Sequence, residues 1–297
     1  MNLSLGPLLY YWSRDDVLAF YDEAKTWDVS RVYLGESVCS RRHLLRLPDW
    51  LELAERLAAA GKEVLLSSQT LIESESDLKT LRRIVGDGRF GVEANEWGAV
   101  RLLSAAGVPF VAGATLNVYN HETLGVLADL GATRWLPPVE MSRATLAALL
   151  ERAPAGIETE VFAYGKLPLA YSARCFTARH YNLPKDDCQF RCLDHPDGLA
   201  LATREGAPFL TLNGIQTQSA GVYSLIGELP SLRELGVASL RLSPQSRHMG
   251  RVVGAFEAAL AGEAGAAEQL ARVLPGPPVD GYWHGRPGLE FGTERSC

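Results

Sequence analysis

Three of the five cysteines fall in Cys175-x12-Cys188-x3-Cys192, within a stretch rich in Pro, Asp and Arg. A fourth, Cys39, stands in Glu36-Ser-Val-Cys-Ser-Arg-Arg. Thiols in polar, loop-like sequence make poor core material. Four thiolates from distant segments suit either a structural zinc or an iron–sulfur cluster. Spacing does not choose between them, because zinc sites usually show two CxxC-like pairs and only Cys188-x3-Cys192 approximates one. Inert buried thiols are the third reading. Arg174, Arg179 and Arg191 flank the cysteines, and positive charge there lowers a thiolate pKa and offsets the charge of a cluster. Pairing with Asp186, Asp187 and Asp194 accounts for each arginine taken singly. Cys297, the last residue, is left out of the set.

Other polar residues sit where a barrel enzyme would use them. Glu36, Glu93 and Glu140 fall at or near expected strand ends, as general acids or bases would, although pairing with nearby arginines explains them equally well. Asn117-Val-Tyr119-Asn120 follows the fifth expected strand and suits a small polar substrate or the cap of the next helix. Tyr164 is a further catalytic candidate, with no role assigned to it. Arg241, near the last strand's end, suits a carboxylate or phosphate, with a partner acid inside the barrel as the alternative. His180 and His195 lie near the cysteines and suit hydrogen bonds to a metal centre. Ser172 has no adjacent His to activate it.

Short apolar runs must position these groups. Strands are expected at Leu5–Tyr10, Arg31–Gly35, Glu63–Ser67, Phe90–Glu93, Pro109–Ala114, Thr133–Leu136, Glu158–Ala163 and Ser239–Ser243. Helical periodicity marks Pro48–Ala60, Glu96–Ala106, His121–Leu130, Ser142–Ala153 and Arg247–Ala261. Trp50 and Trp97 belong to core-facing stripes, and Gly107 and Gly131 are placed as left-handed helix caps. Eight such units predict a (β/α)8 TIM-barrel-like fold, with a doubly wound open sheet as runner-up. No GxGxxG follows the first strand and no GxxxxGK[ST] occurs, which removes the usual nucleotide variants. The seventh connection, Tyr164 to Ser239, runs about 75 residues against a short loop in a plain barrel. It holds three cysteines, a strand expected at Phe209–Asn213 and a helix near Ser231–Leu235. The chain therefore reads as one domain, 1–297, with an insertion at 165–238. The tail after Pro275 reads as irregular wrapping.

Composition closes off other classes. Net charge is −6 with a pI near 5.6, and no Lys/Arg run exceeds a pair, which argues against nucleic-acid binding. The longest uncharged apolar stretch is broken by Gly107, Pro109, Gly113 and Asn117, so no membrane span is expected. No targeting segment is evident, and a cytoplasmic location is expected, where clustered thiols stay reduced.

The run Glu160-Val-Phe-Ala-Tyr164-Gly-Lys-Leu-Pro168-Leu-Ala-Tyr171-Ser-Ala-Arg-Cys175, with Cys188-Gln-Phe-Arg-Cys192 and Leu212-Asn-Gly214, resembles the signature of the collagenase-like peptidase family of unassigned catalytic type. That signature reads Glu-x-Phe-x-His-Gly-Ala-x-Cys, then Ser-Gly-x-Cys. Here Tyr164 replaces the His, Lys166 the Ala, Pro168 the first Cys and Ala173 the Gly. The altered segment and Cys39 in its Glu-Ser-Val-Cys context resemble the UbiV (YhbV-like) branch. That resemblance implies a [4Fe–4S] cluster on Cys39, Cys175, Cys188 and Cys192. It further implies oxygen-independent ring hydroxylation of prenylated ubiquinone precursors. The implied partners are a paralogous UbiU subunit in a heterodimer and the lipid carrier UbiT, with prephenate as oxygen donor. The alternatives are a non-catalytic cluster-bearing partner of a catalytic paralogue, and a peptidase.

Overall fold

The computed structural model describes residues 1–292. Each short strand alternates between a face that packs on helices and a face that fills a barrel. The first six are β1 (Asn2–Leu5), β2 (Arg31–Leu34), β3 (Glu63–Ser67), β4 (Gly91–Ala94), β5 (Phe110–Ala112) and β6 (Ala132–Trp135). They are followed in turn by α1 (Arg14–Ala24), α2 (Leu47–Ala59), α3 (Glu75–Asp87), α4 (Trp97–Ala105), α5 (His121–Asp129) and α6 (Arg143–Leu150). Next comes β7 (Glu158–Tyr171), then α7 (Phe176–His180), β8 (Leu199–Ala202), β9 (Pro208–Asn213), β10 (Gln216–Ser224) and α8 (Leu229–Glu234). The eighth barrel strand is β11 (Ser239–Leu242), which pairs in parallel with both β1 and β7 and closes the ring. The chain then runs through α9 (Met249–Ala261), α10 (Ala266–Ala271) and β12 (Pro278–Val279). The fold is a closed (β/α)8 barrel.

Val32, Leu34, Val64, Leu66, Phe110 and Ala112 point outward into the main core beneath the helices. The inward positions carry charge as well as apolar bulk. At the N-terminal ends, Arg31 and Arg134 bridge Glu63 and Glu158. Above them Tyr33, Leu65 and Val111 form a separate apolar plug. Higher still, fully buried Arg241 binds Glu93 on one side and Glu160 on the other, at 3.0 Å from Nε to Glu160, with its guanidinium 3.8 Å above the Tyr33 ring. Tyr33 donates to Glu160 at 2.5 Å, and Ser4 donates to it as well.

The seventh strand is twice its expected length because it serves two sheets. Its first half lies in the barrel and its second half pairs antiparallel with β10, to which β9 and then β8 are added. The register against β11 slips between Arg241 and Leu242, and Gly165 adopts φ +128° just beyond the slip. A Cβ on Gly165 would sit 2.6 Å from Ser243 Cβ, so only glycine lets the strand bend out of the barrel there. The insertion is thus a sheet grown from a barrel strand, with β12 paired to β10 from the chain's far end.

Several boundaries differ from the sequence reading. The first strand is Asn2–Leu5, not Leu5–Tyr10, because Pro7 has no N–H for a ladder; the buried run after it crosses the barrel mouth as a loop. Trp97 is 47% exposed rather than core, since it opens α4 on the outer side. Helices α1 and α3 fall outside the helical stretches read from the sequence, although both carry apolar residues at helical spacing; α3 fully buries only Leu81. The expected strand at Phe209–Asn213 and helix near Ser231–Leu235 are β9 and α8, and Gly107 and Gly131 have positive φ as expected. Cys297 lies outside the described residues. No helix among the described residues is long and apolar enough to cross a membrane.

Burial alone would raise the Glu160 carboxyl, but the Arg241 charge and the bonds from Arg241, Ser4 and Tyr33 outweigh it and hold the pKa below the usual value. Its stabilising effect is therefore complete above the unfolded carboxylate pKa and is lost as pH falls through the lower folded value. Glu160→Gln is expected to cost about 3–5 kcal/mol at neutral pH, because it leaves part of a buried cation uncompensated. It should also flatten the loss of stability below about pH 4. Urea denaturation of both proteins across that range checks this, and equal midpoints would contradict it.

Candidate metal centre and barrel-mouth cavity

Cys39, Cys175, Cys188 and Cys192, all free thiols, line one small cavity at the C-terminal face of the barrel. Cys39 stands in the turn after β2. There the Glu36 carboxylate accepts the amides of Val38 and Cys39, both at 3.0 Å. Cys175 is the N-cap of α7, its Sγ accepting the Ala178 amide at 3.4 Å. Cys188 and Cys192 flank a tight loop in which Gln189 and Phe190 both adopt left-handed backbone, φ 52° and 53°. Such strain, of order 1–3 kcal/mol per residue, persists only where surroundings impose it. Here Phe190 packs on Tyr11 and His43.

The cations lining this cavity are Arg41, Arg42 and Lys185, none of them one of the three flanking arginines. Arg42 is buried beside Cys39 and Cys192, donating from Nη1 to the Leu9 carbonyl at 2.8 Å and from Nη2 to Asn213 Oδ1 at 2.6 Å. Its third neighbour is Glu36 at 3.7 Å, and its Nε has no partner. Arg41 Nε, also at the cavity, has none either. Of the expected pairs, Arg191–Asp194 forms at 3.4 Å, whereas Asp186 is taken by Arg41 and Arg174 and Arg179 are exposed. His180 is exposed, and His195 hydrogen-bonds Tyr181 at 2.7 Å.

The donor set fits an iron–sulfur group. Four thiols converge with unpaired N–H donors beside them, as sulfur acceptors would use. A single tetrahedral ion needs sulfurs about 3.8 Å apart, from bonds of about 2.3 Å. Among the described residues no three His, Cys, Asp or Glu side chains form a set able to hold one ion. Burial pushes the Cys39 thiol up to about 11, only partly offset by Arg42, and burial also raises Cys175. Metal uptake here must expel protons.

Asn213 connects this centre to the barrel. Its Nδ2 donates to Gln216 Oε1 at 2.9 Å, and Gln216 Nε2 donates to the Tyr171 hydroxyl at 2.7 Å. Arg42, Asn213, Gln216 and Tyr171 form a chain in which every donor points the same way, an arrangement that polarises its members cooperatively. Next in sequence, Gly214 has φ +64°, and a Cβ there would stand 3.0 Å from Arg42 Nη2 and 3.7 Å from Cys192 Sγ.

Tyr171 faces a cavity of about 60 Å³ that opens at the mouth above Arg241. It is lined also by Glu93, Asn95, Ser37 and Thr70, and it adjoins a groove of about 260 Å³ that reaches Asn117 and Glu140. Glu93 accepts from Ser67 at 2.7 Å and Asn95 at 3.2 Å besides Arg241. Exposed Asn117 lines the groove, while Asn120 caps α5 through the Thr123 amide. Glu140 accepts the Tyr119 hydroxyl, whose pKa is pushed up to about 12 by burial and by that carboxylate. The other candidates are committed within the fold. Glu36 braces the Cys39 turn, and Arg241 has its partner acids. Tyr164 lies in the main core, donating to Gln245 at 2.6 Å. The Ser172 hydroxyl accepts the Arg174 amide at 3.1 Å.

Asn213→Leu is expected to destabilise the protein by about 2–4 kcal/mol, because it strips a buried guanidinium, the Leu9 carbonyl and Gln216 of partners at once. Chemical denaturation measures this; Asn213→Asp, which keeps the acceptor for Arg42, should cost less.

Comparison with known proteins follows the same architecture. The U32 peptidase Mk0906 is 13% identical, with 82% of this chain and 93% of that one covered at a TM-score of 0.47. A putative dihydrodipicolinate synthetase from Pseudomonas aeruginosa is 10% identical, with 93% and 82% covered at 0.49. Dihydropteroate synthase from Thermus thermophilus is 14% identical, with 86% and 94% covered at 0.44. The family model for peptidase family U32 matches residues 21–286, nearly the whole barrel with its cysteine-bearing insertion. The chain belongs to peptidase family U32.

Proposed function

We propose that this U32 protein carries a [4Fe–4S] cluster on Cys39, Cys175, Cys188 and Cys192. We further propose that it acts as the UbiV-like subunit of an oxygen-independent hydroxylase of prenylated aromatic rings in anaerobic ubiquinone biosynthesis. The observation that carries the reading is the meeting of four thiols, from a barrel loop and the insertion, around one cavity. When bound, such a cluster supplies one-electron transfer. Ring hydroxylation with oxygen from water, or from an organic donor such as prephenate that gives up a water-level hydroxyl, releases two protons and two electrons, and the electrons must leave one at a time to an external electron acceptor. The chain's own groups suit the remaining tasks. Tyr171 and Asn95 offer hydrogen bonds at the mouth, and Glu93 offers a carboxylate fixed by Ser67 and Arg241. Arg42 supplies a buried positive charge beside the thiols. The UbiU paralogue completes a heterodimer in this reading, UbiT delivers the lipid-tailed ring, and the setting is cytoplasmic.

One observation favours a supporting role instead, with the chemistry on the paralogue. Glu36, Tyr164 and Arg241 all bond within the fold, which leaves Asn117 as the exposed polar candidate.

Anaerobically purified protein, co-expressed with the paralogue, is expected to hold about four irons per chain with a broad band at about 400 nm. Cys188→Ala should lose both together with ring hydroxylation of a prenylated phenol. Stoichiometric zinc without the band overturns the cluster, and protein hydrolysis by the iron-free chain would return the peptidase reading. Asn117→Ala separates the two roles: loss of activity at unchanged iron marks a catalytic chain, and full activity marks a supporting one.

A further inference from the structure

A second cavity, of about 520 Å³, lies outside the barrel between α2, α3 and the outward faces of β2 and β3. Its volume falls within the range of about 300–1,000 Å³ that small-molecule sites occupy. Leu34 and Leu66 form its floor. One stripe of α3 forms a wall: Asp77, Thr80, Leu81 and Ile84, at helical spacing, face it, and Ile84 is only half-buried. Leu81 is buried in the main core and Ile84 packs against it, so the apolar side of α3 closes the back of the cavity while exposed Thr80 and half-buried Asp77 edge its opening.

The charges select the occupant. Glu36, at the inner end, is committed to Arg42 and to two amides, and Asp77 accepts the Glu73 amide at 3.2 Å. Arg46 and Arg83 also line the cavity, and among the described residues neither forms an ion pair with a carboxylate. Asp77 keeps its own negative charge, so with Glu36 set against Arg42 the lining carries Arg46 and Arg83 against one carboxylate, an excess of one positive charge.

We propose that this cleft binds an amphipathic organic anion, its hydrocarbon body against Leu34, Leu66 and Ile84 and its acidic head at Arg83 and Arg46. The site is separate from the barrel mouth and does not depend on the cluster. Its inner end, Glu36 and Arg42, is also the support of the Cys39 turn. An occupant would therefore lie beside the metal centre without entering it.

The probe is 8-anilinonaphthalene-1-sulfonate, titrated by fluorescence into the intact chain with and without iron. One molecule per chain is expected in both states. Arg83→Glu should weaken binding about tenfold, by replacing attraction with repulsion. Thr80→Trp, at an exposed wall position, should abolish it by filling the cleft, with near-UV circular dichroism checking that the variant is folded. Arg152→Glu, on the surface elsewhere, should change nothing. Absence of saturable binding, or equal affinity in Arg83→Glu and the parent, overturns the proposal.

Discussion

The buried guanidinium of Arg42 is the interaction on which the functional face depends. One side chain ties the loop after β1 through Leu9, the turn after β2 through Glu36, and the β9–β10 hairpin through Asn213. A charge this deep is tolerated only because each of those partners is fixed by its own strand. The four thiols are arranged around it, so the geometry of the centre follows from how three distant segments satisfy a single cation. Gly214 belongs to the same constraint, since any side chain there would press on the guanidinium.

The barrel below repeats the pattern with the opposite balance. Arg241 is shared by two glutamates, and Tyr33 lies beneath it as an aromatic floor. Replacing such a network with hydrocarbon is often neutral or stabilising in other proteins, so stability alone does not account for it. What it does provide is an inflexible polar floor to the mouth cavity, with Glu93 held from three sides.

Much of the architecture was legible from alternating runs and helical spacing, because the barrel strands are short, apolar and bounded by breakers. The first strand misled because Leu8 to Trp12 are apolar for another reason: Leu9 faces the mouth cavity and Leu8, Tyr10 and Trp12 pack into the main core without pairing in a sheet. The long β7 was cut short because Gly165 and Pro168 read as breakers, whereas a bulge and an antiparallel partner absorb them. The cysteine set could be read from residue type and loop context, but its surroundings could not. Arg42 stands beside Arg41 with no partner visible in the local sequence, and Asn213 and Gln216 carry no spacing signal. The Arg42–Asn213 and Asn213–Leu9 contacts span 171 and 204 positions, which no local pattern encodes. Glu36, Tyr164 and Arg241 drew attention as polar residues near strand ends, and the fold uses each of them as internal support.

The closure of the barrel also sets an order on synthesis. Along the sheet, β2 and β7 are neighbours only by way of β1 and β11; the other way round, four strands lie between them. Cys39 therefore meets the three insertion thiols across a seam that does not exist until residues 239–242 have been made and seated. The three insertion thiols lie together in the β7–β8 connection, whereas Cys39 lies on the other side of the seam. A metal group shared by all four thiols would span that seam, so the complete set is available only once β11 is seated.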